Sequence, residues 1–413
     1  MVSDERDPVG DRSGRHGPPA ESAAQTACVL PWIHLCASID GVYGRCCVDD
    51  SMYHNALYDE REEPVFALND DAIGCSPGSR YAKDNPDRVM GLEAAFNSPN
   101  MKRTRLAMLN GERVAACQYC YFREDHGAQS YRQNVNRRFT QEFDLEALAA
   151  RTAADGSVEE FPFFLDIRFG NTCNLRCVMC TYPVSSSWGA KQRPKWSSAV
   201  IDPYRADEEL WAALRENAHL IRRLYFAGGE PFLQPGHFAM LELLVETGNA
   251  GNVDIAYNSN LTVSPERAMK LFPHFKSVGI GASCDGVGEV FEYIRTGGKW
   301  ADFVANLRLL RTEVDIWLQV SPQRHNLWDL RNVLEFARAE GLEVDLANVV
   351  QWPADFSVAN LPADEKARAT EELTDLITWC AELGWDKPAG HLGALRSFMN
   401  SLDPVSLVDE GAS

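Results

Sequence analysis

Phe163 to Cys180 reads FFLDIRFGNTCNLRCVMC, a short β-rich run that leads into a loop carrying Cys173, Cys177 and Cys180. Three residues and then two separate the thiols. Thiolates so close together can each hold one iron of a cubane 4Fe–4S cluster, and a set of only three leaves the fourth iron open. An open iron can bind a small molecule and pass it an electron. Zinc is the competing metal, but a closed structural zinc site takes four ligands and no fourth Cys or His lies nearby in the chain.

Outward from that loop the pattern alternates. RRLYFA (222–227), VDIAYNS (253–259), SVGIGASC (277–284), VDIWLQVS (314–321) and LEVDLANVV (342–350) read as strands. Between them, ADEELWAALRENAHL (206–220), GHFAMLELLVET (236–247), SPERAMKLFPHF (264–275), WADFVANLRLLR (300–311) and NLWDLRNVLEFARAEG (326–341) have the apolar spacing of helices. With FFLDIRF this makes six strands separated by helices, the signature of parallel βα units with right-handed crossovers. The predicted fold class is therefore α/β, a partial (β/α)6 TIM-like barrel over residues 160–350. Binding residues should collect at the C-terminal ends of its strands. The motifs obey that rule: the cysteine loop follows the first strand, GGEP (228–231) the second, YNSN (257–260) the third and SCDG (283–286) the fourth.

The flanks read differently. Residues 1–25 are polar and rich in Pro, Gly and charge, which predicts a disordered tail without the apolar core of a secretory signal. Residues 26–150 form a small α+β module. VLPWIHL (29–35) and GVYGRCCV (41–48) are β-like, and Trp32, Gly41 and Gly44 suit a hairpin. Residues 351–413 predict a C-terminal helical extension, with helical composition over Glu365–Leu383 and His391–Leu402. In a chain of 413 residues no apolar run approaches the ~20 that a membrane span needs. A net charge of −19 argues against nucleic acid as the main partner. Twelve cysteines without an export signal are better read as metal ligands or redox groups than as disulfides, and a reducing cytoplasmic compartment suits them.

Other residues carry chemistry by type and place. Gly228 and Gly229 let backbone approach a ligand, Glu230 offers an acceptor for an ammonium and Pro231 stiffens the turn. Alone, GGEP is equally any strand-to-helix turn. Ser283 and Asp285 alternate onto one side of a strand end, although Asp285 also suits a turn or helix cap. Cys117 and Cys120 form a C-x2-C pair, and twelve residues separate Cys28 from Gly41 with four more before Cys46. Four such thiolates would fully ligate a second 4Fe–4S cluster, or equally a zinc ion. Cys47 is an alternative to Cys46. Cys36, Cys75, Cys284 and Cys380 are candidate free thiols.

The order CNLRCVMC, GGEP, SCDG and Arg295 resembles the radical S-adenosylmethionine superfamily. Residues 26–150 resemble its twitch (short SPASM-type) auxiliary-cluster module, so that the likeness covers roughly residues 28 to 350. Two features depart from the family pattern: Met179 stands where an aromatic residue is frequent, and the auxiliary module precedes the barrel. The fuller auxiliary pattern would also want a cysteine where His126 stands. The resemblance implies that S-adenosylmethionine binds the open iron and that GGEP holds its amino group. It implies that Asn258, Ser259 and Asn260 lie near the ribose, and that Arg295 pairs with the methionine carboxylate. It also implies a flavodoxin- or ferredoxin-type reductant.

Three functions are compatible with these expectations. The leading one is hydrogen abstraction from a small polar metabolite of sugar or aminocyclitol type, for oxidation or epimerisation in natural-product biosynthesis. The second is cross-linking, thioether formation or epimerisation of a ribosomally made peptide. The third, from another class, is a non-catalytic iron–sulfur sensor or electron carrier.

Overall fold

The computed structural model describes residues 17–49, 57–58, 64–65, 68, 70–125, 129–181, 183–188, 200–351 and 353–401. The chain divides into two compact units, Met1–Ile167 with Pro203–Arg222, and Arg168–Asp202 with Arg223–Ser413.

In the first unit, His34–Ala37 (β1) and Val42–Gly44 (β2) form the expected antiparallel hairpin, with Cys36 opposite Gly44. Leu57–Tyr58 (β3) pairs with Pro64–Val65 (β4) as a separate short ladder. Gly74–Cys75 (β5) runs antiparallel to β2, and Phe164–Ile167 (β6) runs parallel to β1. The β-like run VLPWIHL splits, because Leu30–Ile33 is a helical turn and only His34 onward is strand. Pro31 accounts for this: its fixed φ suits a first helical turn and it has no N–H for a ladder. Trp32 is 1% exposed, and its indole N–H donates to Thr152 Oγ1 at 2.8 Å. Of the expected tail, residues 1–16 lie outside the described residues. Ala23–Thr26 is a short helix, and the Ala20 N–H donates to the Leu109 carbonyl at 2.8 Å. Ala23 and Thr26 are both buried, so small side chains seat this segment where a bulky polar one would not fit.

Arg105, on the helix Pro99–Leu109, is fully buried. Its guanidinium donates to the carbonyls of Pro31, Phe96 and Gly156 and to Asn97 Oδ1, at 2.7–3.0 Å. These bonds meet the demand of a buried cation, yet burial still draws its pKa from 12.5 down to about 9.

In the second unit, Arg223–Phe226 (β7), Asp254–Ser259 (β8), Ser277–Ser283 (β9), Asp315–Gln319 (β10) and Glu343–Asp345 (β11) pair in sequence order, all parallel. Each expected strand of this series is therefore present. The helices Pro235–Glu246, Trp300–Leu310 and Leu330–Glu340 lie between them as the apolar spacing predicts. The stretch 264–275 forms only Glu266–Met269 and a 3-10 turn at Phe272–His274. Pro273 lacks the N–H that a continuing α-helix requires. Leu224, Phe226, Ile255, Tyr257, Ile280, Ala282, Leu318 and Val344 alternate onto one face of the sheet and are all at most 2% exposed. At the C-terminus, Ala363–Glu382 and Asp386–Asn400 pack side by side, joined by Arg396–Thr374 at 2.8 Å and Asn400–Thr370 at 3.1 Å. Leu402, the expected end of the last helix, lies outside the described residues.

Candidate active site

The cysteine loop is held by local bonds before any ligand is considered. Ser186 Oγ accepts from the Cys173 N–H at 3.1 Å, and Ser187 Oγ donates to the Cys173 carbonyl at 2.7 Å. Ser185 Oγ donates to the Leu175 carbonyl at 2.6 Å, and the Trp188 indole N–H to the Cys177 carbonyl at 2.9 Å. The N–H groups of Arg176 and Val178 donate to the carbonyls of Thr296 and Ile294, at 2.8 and 2.9 Å. Ser185, Ser186, Ser187 and Trp188 had no assigned role in the sequence. The signal for them is the run SSSW itself, which supplies several short donors beside a loop that needs pinning.

The GGEP turn follows β7 and lies against this loop. Gly228 has φ +107°, a conformation that L side chains rarely adopt. A Cβ on Gly229 would sit 2.3 Å from the Thr172 carbonyl oxygen and 2.6 Å from Asn171 C. That closeness lets the Gly229 N–H reach the Gly170 carbonyl at 3.0 Å, and the Glu230 N–H reach the Thr172 carbonyl at 2.7 Å. Pro231 opens the 3-10 turn Pro231–Leu233.

Two chains of polar contacts run from strand ends to the thiols. In the first, Glu230 is 1% exposed and its carboxylate accepts from Ser259 Oγ at 2.7 Å, the Asn260 N–H at 2.8 Å and the Phe232 N–H at 3.3 Å. Burial raises its pKa above the ordinary 4.5, against the pull of these three donors. Asn260 Nδ2 then lies 3.9 Å from Cys173 Sγ and donates to Asn174 Oδ1 at 3.0 Å. In the second chain, Asp285 Oδ1 accepts from the Ser321 N–H at 2.7 Å, while Oδ2 lies 2.6 Å from Arg295 Nη2. Arg295 Nη1 is 3.9 Å from Cys177 Sγ. Burial is the largest single influence and opposes the Arg295 charge, but Asp285 together with Cys177, Cys180 and Cys284 outweighs it and the pKa is raised. Arg295, the residue that the resemblance sets against a ligand carboxylate, is paired with Asp285 within the protein, and its Nε is buried with no hydrogen-bond partner among the described residues. Asn258 sits within β8 and Ser283 ends β9, both half-exposed.

Burial pushes the Cys173 thiol up to about 11, opposed by the Leu175 N–H that donates to its sulfur at 3.4 Å. A metal centre converts such thiols to thiolates by displacing their protons. Three thiols, a buried guanidinium with an unused donor and an amide 3.9 Å from Cys173 Sγ fit an anionic thiolate-ligated cluster.

In the first unit, Cys28, Cys46, Cys117 and Cys120 line one cavity together with Leu30, Val48, Tyr131 and Arg132. Cys46 rather than Cys47 contributes to that lining. Burial raises all four thiols, Cys28 to about 12. Backbone N–H groups already point at the sulfurs, from Leu30 to Cys28 and from Tyr131 and Arg132 to Cys120. Arg132 is fixed over the cavity by Glu124 at 2.5 Å and by the Ala27 carbonyl at 2.6 Å. Among the described residues no three His, Cys, Asp or Glu side chains converge on a point where a single ion would sit. Four thiols around a space are a donor set that suits a 4Fe–4S cluster and a zinc ion alike. His126 lies outside the described residues. Cys36, Cys75, Cys284 and Cys380 are all buried, and burial pushes Cys284 to about 12. Among the described residues no helix is long and apolar enough to cross a membrane.

Residues 167–337 match the model of the Radical SAM superfamily, so the chain carries a domain of that superfamily, with its α/β, partial-barrel class of fold. No curated protein sequence matches the chain. Among solved structures, native anSMEcpe with bound AdoMet is 16% identical, over 54% of this chain and 62% of that one, with a TM-score of 0.39. Streptococcus suis SuiB bound to S-adenosylmethionine is 13% identical over 67% and 63%, with a TM-score of 0.37. SuiB bound to its precursor peptide SuiA is 12% identical over 68% and 63%, with a TM-score of 0.38. The chain thus spans about three fifths of the length of the solved proteins it matches.

Proposed function

We propose that the Radical SAM superfamily domain of this chain cleaves S-adenosylmethionine at a 4Fe–4S cluster held by Cys173, Cys177 and Cys180, to oxidise or epimerise a small polar metabolite at a carbinol carbon. The observation that carries this reading is the pair of polar chains, Glu230–Ser259–Asn260–Cys173 and Asp285–Arg295–Cys177, that tie three strand ends to two thiols of a three-cysteine loop. A bare structural metal site has no need of them. When bound, the cluster supplies one electron to the sulfonium, which releases methionine and a 5′-deoxyadenosyl radical able to take hydrogen from a C–H bond.

The residues divide the remaining work. Gly228 and Gly229 leave backbone open to the methionine amino group, and Glu230 adds a carboxylate whose oxygens have lone pairs beyond those its own donors use. Asn260, just past the end of β8, serves the ribose, and Asn258, two residues earlier on the strand, serves the substrate. Ser283 offers a hydroxyl at the end of β9. Arg295 is balanced by Asp285, so it places positive charge beside thiolates without adding a net buried cation. In the module of residues 26–150, Cys28, Cys46, Cys117 and Cys120 would hold a second 4Fe–4S cluster that takes up the electron left by an oxidised substrate. A flavodoxin- or ferredoxin-type protein in a reducing cytoplasm would deliver the first electron.

The test is direct. Anaerobically reconstituted, dithionite-reduced protein should convert S-adenosylmethionine to 5′-deoxyadenosine, and Cys177→Ala should not. Equal cleavage by that variant would remove the catalytic assignment.

A further inference from the structure

The sheet of the second unit has two unlike faces. One is the buried face of Leu224, Tyr257, Ile280 and Leu318. The other alternates with it and is half-exposed at Arg223 and Tyr225 on β7, Gly279 and Ser283 on β9, and Trp317 and Gln319 on β10, with Gly281 buried among them. At the centre of this second face stand two glycines, Gly279 and Gly281, one strand step apart on β9. Gly281 pairs in register with Asn258 on one side and with Trp317 on the other.

A Cβ on Gly279 would lie 3.2 Å from Trp317 Cζ3 and 3.6 Å from Cη2. A Cβ on Gly281 would lie 3.2 Å from Trp317 Nε1, 3.3 Å from Cε2 and 2.7 Å from Asn258 Oδ1. Four atoms spread across the indole thus meet β9 at nearly one height, so the ring lies flat over the two glycines. Glycine within a strand is unfavourable by roughly 0.5–1 kcal/mol against alanine, and it marks a close approach. Here the approach is that of an aromatic plate. A tryptophan that merely filled a core would be buried, with its N–H satisfied. This one is half-exposed, and among the described residues its N–H meets Gln319 Oε1 alone, at 3.5 Å.

The plate lies close to the chemistry. Asn258 precedes Asn260 by two residues, about 6.6 Å along a strand. Asn260 Nδ2 is 3.9 Å from Cys173 Sγ. Around the plate stand Asn258 on β8, level with Gly281, and one step nearer the strand ends Gln319 on the plate's own strand and Ser283 in register with it on β9. An amide offers one acceptor and two donors, and a hydroxyl does both, which matches hydroxyl groups on a ring edge. A hydrocarbon aromatic ring would stack equally well but would leave those amides unmatched.

We propose that Trp317 is the substrate platform and that the substrate is a polyhydroxylated six-membered ring, a sugar or cyclitol. One C–H face of the ring rests on the indole, and its hydroxyls bond to Asn258, Gln319 and Ser283. This rests on the radical reading above and names the substrate class of that same site.

The test uses reconstituted, oxidised holoprotein with S-adenosylmethionine, and saturation-transfer NMR with methyl β-D-glucopyranoside and 2-deoxystreptamine as probes. Saturation should fall on the C–H protons of one ring face. Trp317→Ala should weaken binding at least about tenfold, and Trp317→Phe by no more than about threefold, since a smaller plate remains. Gly281→Ala, whose Cβ pushes both Trp317 and Asn258, should also weaken it, with thermal melting as the control for folding. The inference is overturned if neither ring binds, if Trp317→Ala binds as wild type does, or if acetyl-phenylalanine amide binds as well as the rings. Binding needs no turnover. Ring binding without 5′-deoxyadenosine formation would sink the radical reading alone, whereas 5′-deoxyadenosine without ring binding would sink the platform alone.

Discussion

Asp285→Asn isolates one charge at the centre of the site. The amide keeps an oxygen for the Ser321 N–H, which Asp285 Oδ1 accepts at 2.7 Å. It removes the negative charge that stands 2.6 Å from Arg295 Nη2, in a pair whose side chains are 9% and 0% exposed. Charge centres about 4 Å apart at an effective dielectric of about 20 attract by about 4 kcal/mol. Breaking a buried pair by removing one partner costs about 3–5 kcal/mol by mutational experience, which agrees. With a urea slope of about 2–3 kcal/mol/M, the midpoint for cluster-free protein should fall by about 1–2 M. The assay is urea unfolding followed by far-UV circular dichroism, read on the transition of the unit that contains Asp285. The loss should shrink in cluster-loaded protein, because thiolates beside Arg295 Nη1, 3.9 Å from Cys177 Sγ, then serve as its counter-charge. The double variant Asp285→Leu/Arg295→Met should recover most of the stability, since no unpaired charge is left buried. A midpoint shift below about 0.3 M in cluster-free protein would refute the claim that this pair is desolvated and mutually dependent.

Three further outcomes follow from the same geometry. Gly229→Ala places a Cβ 2.3 Å from the Thr172 carbonyl, so the cysteine loop must move; stability should drop by about 1–3 kcal/mol, with iron at the triad lost in reconstitution while iron in the first unit stays. Glu230 has its pKa raised above 4.5 by burial, so its contribution to stability is complete below that value and is lost as pH rises through the raised one. Glu230→Gln should remove this decline; a wild-type minus variant difference that is flat from pH 4.5 to 7 would count against the assignment. Wild-type protein should hold about eight irons per chain, and the triple-alanine variant of Cys173, Cys177 and Cys180 about four. Zinc in the residual site would exclude the electron-accepting role.

The strands of the second unit were legible because their apolar residues alternate over runs bounded by turns, and tertiary packing did not override them. Where the reading slipped, proline decided. Pro31 made a helical turn of part of a β-like run, and Pro273 cut a twelve-residue helical pattern to a single turn and a 3-10 segment. The cysteine loop was legible from spacing alone, since its three thiols are local in the chain. The lining of the first unit's cavity by Cys28, Cys46, Cys117 and Cys120 draws on residues nearly a hundred positions apart, so spacing could only nominate them.

Trp317 marks the physical limit of such reading. In VDIWLQVS a tryptophan between apolar neighbours is expected to be core, and nothing in that strand says otherwise. The information lies one strand away, in the glycines of SVGIGASC, and only the register that sets Trp317 beside Gly281 joins the two. A glycine-poor β9 would force the indole off the sheet, and a smaller residue at 317 would leave two costly glycines with nothing to accommodate. Each feature is unfavourable or unremarkable by itself. Together they make a half-exposed flat surface beside the polar chain that ends at Cys173, a pairing that strand stability alone would not require.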